Sequence, residues 1–554
     1  MAKTRKPHVK PRHPDGGACL RAASPISVPA GQSNPLSIHE GATECPAPEA
    51  GWRILEADRR LSESLLWDIQ NDYYCRQGVA AWQNSVPFYI TNSAFIAESY
   101  GQMIIAMLRD LAPKLDRSQP VYILELSAGT GQFGFLVLRE LFRKLPQIQA
   151  LKDLRLCYVM CDVTEKNVAF WQNHPRLQPY LNCGMLETAC FNPVTDTSLT
   201  LSRCGKTLSP EDFTNPAIVI GNYLFDTIRQ DLFQVTPEAG LLEGRVTLAA
   251  RTEHCPENGY PAIEHIVPTT HYQPHEALTP ENPCYYEDPT WNRILAEYAA
   301  CGEAGSVIMP VGALETIAAL TRLTQNNWLL MASDKGYPSA GAMLNAGEHP
   351  YAAHGAFSFP VNFDALLRYA ARCGTAAWST CAPLLKLQTL CCAFTPLVSP
   401  CCENTSLLFR ETLNRQNTLN TLVDVDSMAI FYQAPEKHPL SIDLLMGVLR
   451  LCLAEPQTMC TCAPHLIHSL SVATETQKQE LRQLMHQAWD QYYFFPGACQ
   501  LPFALAQLSF HLGDMKQCLA YVEQTQLLFG HHEALRGLLY DCLRKLQNED
   551  SPPV

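Results

Sequence analysis

One stretch narrows the possible folds more than any other: Val121 to Gly134, VYILELSAGTGQFG. A short apolar run ends in an acid, Glu125. A loop of small residues follows, Ser127, Ala128, Gly129, Thr130 and Gly131. An amphipathic helical pattern then runs to Lys144, with Phe135, Leu138, Leu141 and Phe142 on one stripe. Buried strand, glycine turn and helix N-terminus in immediate succession open an α/β nucleotide-binding domain, because the helix end presents unpaired N–H groups to a ligand.

Two ligands compete for this loop. Gly129-x-Gly131-x-x-Gly134 matches the dinucleotide fingerprint, whose glycines let the backbone approach a pyrophosphate. The same residues, read Glu-x-Ser-Ala-Gly-x-Gly, resemble the first motif of class I methyltransferases, which bind S-adenosylmethionine (SAM). Charge favours the second. An acid beside the loop repels a pyrophosphate, whereas SAM carries a sulfonium and an ammonium. Asp162 also lies later than the roughly 20 residues beyond the glycines at which a dinucleotide's ribose acid is expected. A purely structural strand–turn–helix stays open at this point.

The 554 residues allow three or four domains, and 47% apolar content with 17% charged residues argues for large buried cores. A net charge of −13 speaks against binding nucleic-acid backbones. No apolar run is long enough to predict a membrane span, and the basic start, Met1 to His13, lacks the apolar segment of a secretory signal. The expected location is cytoplasmic, with a mitochondrial leader left open. The 23 cysteines contain no CxxC pair, so they are read as buried small hydrophobes in a reducing compartment and no metal site is expected. His271-x-x-x-His275 lies between Pro268 and Pro274, which argues against a shared helix face.

Residues 1–50, rich in Pro, Gly, Ser and Ala, read as a flexible tail. Residues 51–115 read as helical. The α/β pattern follows: strands at Val121–Leu126, Leu154–Cys161, Ile218–Gly221, Trp328–Ala332 and from Ala376, with helices at Gln132–Lys144, Glu165–Gln172 and Phe363–Cys373. Such alternation predicts a mostly parallel sheet covered on both faces. Residues 230–325 form an insertion opening with a hairpin, Asp231–Thr236 and Leu241–Leu248. From 401 to 554 the pattern is all-α. Leu505 to Gly530, with a Leu-Gly-Asp turn at 512–514, reads as one tetratricopeptide (TPR)-like unit that neighbouring helices must complete.

Ligands of open α/β sheets sit outside the carboxyl ends of the strands. Glu125 ends the first strand. Asp162, followed by Val163, ends the second, where an acid can accept from both ribose hydroxyls. Asn192 follows Leu186–Phe191 and can face an adenine amino edge. Asn222 follows the fourth strand in Asn222-Tyr223-Leu224-Phe225-Asp226. Methyl transfer from a sulfonium is an in-line displacement, so the acceptor must be held close to the methyl carbon. Asn222 and Asp226 can grip an amine or guanidine through its N–H groups, with Tyr223 or Phe225 walling the cationic cofactor.

With these residues in hand, the chain resembles the MidA-like SAM-dependent methyltransferases, the family of the mitochondrial complex I assembly methyltransferase. The resemblance runs from about residue 66 to 395. Phe88 to Ser93 with Tyr100-Gly101-Gln102 resembles the family's GDFITSPE…FGE segment, ELSAGTG its ELGPGRG loop, and Asn222 to Asp226 its NEFFD motif, followed in place by Gln230 to Phe233. Leu330–Gly336 resembles a strand ending in Asp-Tyr-Gly, and His354-Gly355 with Val361 to Leu366 the closing HVDFTAL segment. The resemblance implies a class I, Rossmann-like methyltransferase fold with SAM as cofactor and a protein or peptide nitrogen as acceptor, arginine being one candidate. Cofactor binding then falls to Glu125, Ser127, Ala128, Gly129, Gly131, Asp162, Val163, Asn192, Asn222 and Phe225, and catalysis to Asn222 and Asp226. The chain departs from the family on the acceptor side, with Asn92-Ser93, Tyr223 and Lys335 where relatives have Pro-Glu, Glu and Tyr. A non-catalytic binding or assembly protein of the same fold is therefore the alternative. In either case the helical extension, which lies outside the resemblance, is expected to recruit a protein partner.

Overall fold

The computed structural model describes residues 33–35, 37–38, 51–83, 92–237, 240–279, 284–347, 350–353, 356–380, 387–395, 402–413, 429–531 and 533–549. Its centre is a sheet of seven strands: β1 (Val121–Glu125), β2 (Leu156–Asp162), β3 (Leu186–Cys190), β4 (Ala217–Ile220), β5 (Trp328–Asp334), β6 (Ala376–Ser379) and β7 (Gln388–Phe394). Their order is 3-2-1-4-5-7-6. β1 to β5 run parallel, and β7 is antiparallel to both β5 and β6. Every residue of β1 is buried, as expected of a parallel strand covered on both faces.

Alternation sorts the side chains of β1. Val121 and Ile123 join one core with α2 (Ala94–Leu111) and α3 (Gln132–Lys144). Tyr122 and Leu124 join the other, with helices Pro289–Ala300, Val311–Leu323 and Phe363–Arg372. Two further helices matter for the site, α1 (Leu66–Gln77) ahead of α2 and α4 (Glu165–Asn173) after β2. Ser93 caps α2 by accepting from the Ile96 N–H at 3.3 Å. Ser93→Ala is expected to cost about 1 kcal/mol, read as a lowered midpoint in denaturant.

The insertion opens with the expected hairpin: Asp231–Thr236 pairs antiparallel with Gly240–Arg251, Leu232 opposite Gly244. Gly240–Arg251 also pairs with Ile266–Gln273 and with Trp52–Arg60. Trp52–Arg60 corrects the helical reading of that segment. It is a strand because a long partner edge is available to it, which its own sequence does not record. Buried Asp231 fastens it to the hairpin, accepting from Arg60 Nε at 2.9 Å, the Ser62 N–H at 3.0 Å and the Tyr286 hydroxyl at 2.9 Å. Most of the expected tail lies outside the described residues. Ser33–Pro35 pairs with Pro350–Ala353, and Ser37–Ile38 with the insertion sheet.

The C-terminal part is helical: α5 (Ile442–Leu451), α6 (Pro456–Ser469), α7 (Glu475–Gln491), α8 (Leu501–His511), α9 (Met515–Phe529) and α10 (Glu533–Glu549). α8 and α9 form the expected helical hairpin, turning at Gly513 (φ +84°). This extension has its own apolar core but also enters that of the sheet domain. Tyr493 and Phe495, between α7 and α8, are buried beside Phe135 of α3. The Tyr493 ring stacks on His174 at 3.8 Å and 12°. Burial pushes the His174 imidazole down to about 4. The neutral ring's two nitrogens then take opposite roles: Nδ1 accepts from the Arg176 N–H (3.2 Å) and Nε2 donates to the Phe494 carbonyl (2.8 Å).

Cysteine placement corrects the uniform reading of buried thiols. Cys161, Cys391, Cys392 and Cys518 are buried, but Cys75, Cys183, Cys190 and Cys204 are exposed. Cys183 and Cys190 stand at a helix end and a strand end, where neighbouring apolar residues do not imply burial. No helix among the described residues is long and apolar enough to cross a membrane.

Candidate functional site

β1, β2, β4 and β5 are neighbours and end on the same edge, where the chemically capable side chains gather. The glycine loop leaves β1 with the Ala128 N–H donating to the Cys161 carbonyl of β2 at 2.9 Å. Ser127, Gly129 and Gly131 all have positive φ (+51°, +56° and +82°), and Gly131 caps α3. Trp171 of α4 supports the loop from beneath, its indole N–H donating to the Gly129 carbonyl at 3.1 Å.

Glu125 does not face open solvent. Its Oε2 accepts from the Tyr158 hydroxyl at 2.9 Å and lies against α3, where a Cβ on Gly134 would sit 2.4 Å from it. The third glycine of the motif therefore makes room for this carboxyl. Burial pushes Glu125 up to about 8, with the charge of Asp162 adding to it. It is thus mostly protonated at pH 7, so the fixed negative charge inferred from the sequence is absent at neutral pH.

Asp162 joins β2 to the loop. Its Oδ2 accepts from the Gly129 N–H at 3.0 Å and its Oδ1 from the Thr164 N–H at 3.2 Å. Burial raises it to about 6, so it remains largely ionised at neutral pH. Val163 follows, half-buried. Asn192 closes its own turn, with Oδ1 accepting from the Val194 N–H at 3.0 Å.

The segment after β4 is pinned to β5. Asn222 Oδ1 accepts from the Tyr100 hydroxyl (2.7 Å) and the Ser333 N–H (3.0 Å). The Asp226 N–H donates to Asp334 Oδ2 at 3.0 Å. Asp226 and Asp334 are both buried, and Lys335 Nζ lies 4.0 Å from Asp226 Oδ2. Burial raises both carboxyls. Lys335 opposes this for Asp226, while the charge of Asp226 adds to it for Asp334. Phe225 is fully buried in the core beneath this loop. Three buried polar atoms near these strand ends have no partner among the described residues: Asn167 Oδ1, Asn222 Nδ2 and Asp226 Oδ1.

The structure thus brings Glu125, the loop, Asp162, Asn222 and Asp226 to one edge. Sequence reasoning missed Asp334, although it ends a parallel strand as Asp162 does. It read Tyr100 only as part of a family-like segment, with no site role, and missed Tyr158, which looks like an ordinary core aromatic. Part of the family-like segment at Phe88 to Ser93, and His354-Gly355, lie outside the described residues.

No protein-family model matches the chain, and no curated protein matches it. Among solved structures it is similar to a COG1565 superfamily member from Burkholderia thailandensis bound to S-adenosyl-homocysteine. That likeness has 12% identity over 61% of this chain and 88% of the other, with a TM-score of 0.39. A second COG1565 superfamily protein from that organism gives 12% identity over 60% and 91%, with a TM-score of 0.35. An O-methyltransferase family protein, also from B. thailandensis, gives 10% over 59% and 70%, with a TM-score of 0.22. At these scores function has to be read from this chain's own residues.

Proposed function

We propose that this protein is a class I SAM-dependent methyltransferase of MidA-like type. The observation that carries the reading is the join between two strand ends: the acid that ends β2, Asp162, holds the glycine loop after β1 through the Gly129 N–H. The strand order supports it. A dinucleotide sheet runs 3-2-1-4-5-6. Here an antiparallel strand, β7, sits between β5 and β6, so the sheet departs from that order. The unpartnered atoms of Asn167, Asn222 and Asp226 fit a polar ligand at this edge.

SAM supplies an electrophilic methyl group when bound. The backbone of Ser127 to Gly131 would line the cofactor, Glu125 would face its cationic end, and Asp162 would accept from ribose hydroxyls. Val163 and Asn192 would flank the adenine, and Phe225 would stiffen the wall beneath. Asn222 and Asp226 hold the acceptor, for which a protein or peptide nitrogen is the class we favour. A carboxyl raised by its burial, with Oδ1 unpartnered among the described residues, Asp226 can take the proton an amine must shed. The extension, which we read as TPR-like, would recruit the protein partner.

A second reading, a methyltransferase-fold assembly protein with little catalysis, draws on Lys335. Its ammonium already faces Asp226, where a cationic acceptor would otherwise bind.

Calorimetric titration with S-adenosylhomocysteine tests the cofactor. Wild type is expected to bind. Asp162→Asn keeps the shape and an acceptor for the Gly129 N–H but loses the charge and the acceptor for the Thr164 N–H, so binding should weaken by about 1.5–3 kcal/mol, roughly ten- to a hundredfold. A folded wild type that does not bind overturns the proposal.

A further inference from the structure

The glycine loop is covered on its outer side. Gly129 has φ +56°, and a Cβ there would lie 2.9 and 3.1 Å from Cζ2 and Cη2 of Trp82. The indole is therefore packed directly on the loop backbone. A glycine in such a loop allows close approach of a ligand, and here an aromatic side chain of the protein makes that approach.

The segment bearing the ring is tied down over the strand ends. Tyr74, on α1, has its ring 5.9 Å from that of Trp82. Its hydroxyl is kept protonated by burial and by the charges of Asp226 and Asp162, which places the phenol among the site's acids. Gln70 fastens α1 across the site, donating to the Thr227 carbonyl at 2.6 Å and accepting from the Phe357 N–H at 2.8 Å. Two cavities, of about 490 and 410 Å³, lie away from this edge, one within the helical extension and one between it and α2–α3.

The extension backs the same segment. Gly497 has φ +99°, and a Cβ on it would lie 2.6 Å from the Trp82 carbonyl oxygen and 2.7 Å from Gln83 Cα. It stands just after Phe495, which is buried in the sheet domain's core. Trp82 is held between the glycine loop on one side and the helical extension on the other.

We infer that Trp82 occupies the cofactor's place on Gly129 and that the extension, acting through Gly497, keeps it there, so the indole leaves when the cofactor binds. The inference rests on the methyltransferase reading and adds a binding determinant, Trp82, and a positioning residue, Gly497. If the open form is on the order of a tenth of the population, apparent affinity is reduced by that fraction.

The test uses the full-length chain with S-adenosylhomocysteine as ligand and amide hydrogen exchange as a ligand-free readout. Trp82→Ala should bind about tenfold tighter than wild type, and Trp82→Phe, which keeps a ring on the loop, should change affinity by less than about threefold. Without ligand, exchange at residues 128–131 should rise about tenfold in both Trp82→Ala and Gly497→Ala. Unchanged exchange in both variants overturns the inference. Equal affinity of wild type and Trp82→Ala also overturns it while leaving the methyltransferase reading intact. Failure of every variant to bind overturns that reading and the inference together. Should Gly497→Ala unfold the extension, the two Trp82 variants decide the matter.

Discussion

Glu125→Gln is expected to make the protein more stable than wild type above about pH 4.5, by a margin that widens to about pH 8. The folded chain holds the Glu125 proton up to about 8, whereas the ordinary value is 4.5. Between those pH values the folded state binds the extra proton. Wild-type stability therefore falls as pH rises through this window and levels off above it. Glutamine remains neutral throughout and can still accept from Tyr158. The difference between the two proteins should grow by up to about 1.4 kcal/mol per pH unit and vanish near pH 4. Denaturant midpoints measured from pH 4 to 9 check this, and parallel curves would show that Glu125 ionises freely. On the methyltransferase reading, the same proton links to the cofactor. A bound cation favours the carboxylate, so SAM binding at pH 7 should release a proton, visible as a buffer-dependent heat of binding.

Tyr493→Ala should cost about 3–5 kcal/mol, the range for emptying a large aromatic site in a core. The ring packs against His174 and Phe135 and draws the extension onto the sheet domain. The loss should appear as protease cleavage near residues 492–500 under conditions where wild type resists. Tyr493→Phe is the control. The buried hydroxyl has no hydrogen-bond partner among the described residues. Removing it should leave stability unchanged or raised, because an unsatisfied buried polar group costs free energy. Equal loss in both variants would mean that the hydroxyl has a partner and that docking depends on it.

What could be read from the sequence was what is local. Val121–Glu125 and Leu156–Asp162 are continuous apolar runs ending in acids, and both are strands whose ends meet at the loop. Asn222 and Asp226 could be placed because they follow a short buried strand. Trp52–Arg60 could not, since its pairing depends on an edge formed by Gly240–Arg251 far along the chain. The protonation of Glu125 was equally hidden: it follows from the closeness of Gly134 and Tyr158, not from the motif's letters. Trp82 is the extreme case. Nothing in its neighbourhood distinguishes it from a core tryptophan, and its importance lies in two glycines distant in sequence.

Those two glycines also impose a timetable. During synthesis Trp82 emerges early, Gly129 shortly after it and Gly497 near the end. At roughly 5–20 residues per second, ~400 residues of chain separate Trp82 from Gly497 by roughly 20–80 s. In that interval the strands of the sheet have left the ribosome and the loop can form, while nothing yet presses on the Trp82 backbone. The nascent sheet domain passes through a stage in which its loop is complete and its indole unclamped, a state the finished protein regains only by giving up the contact at Gly497.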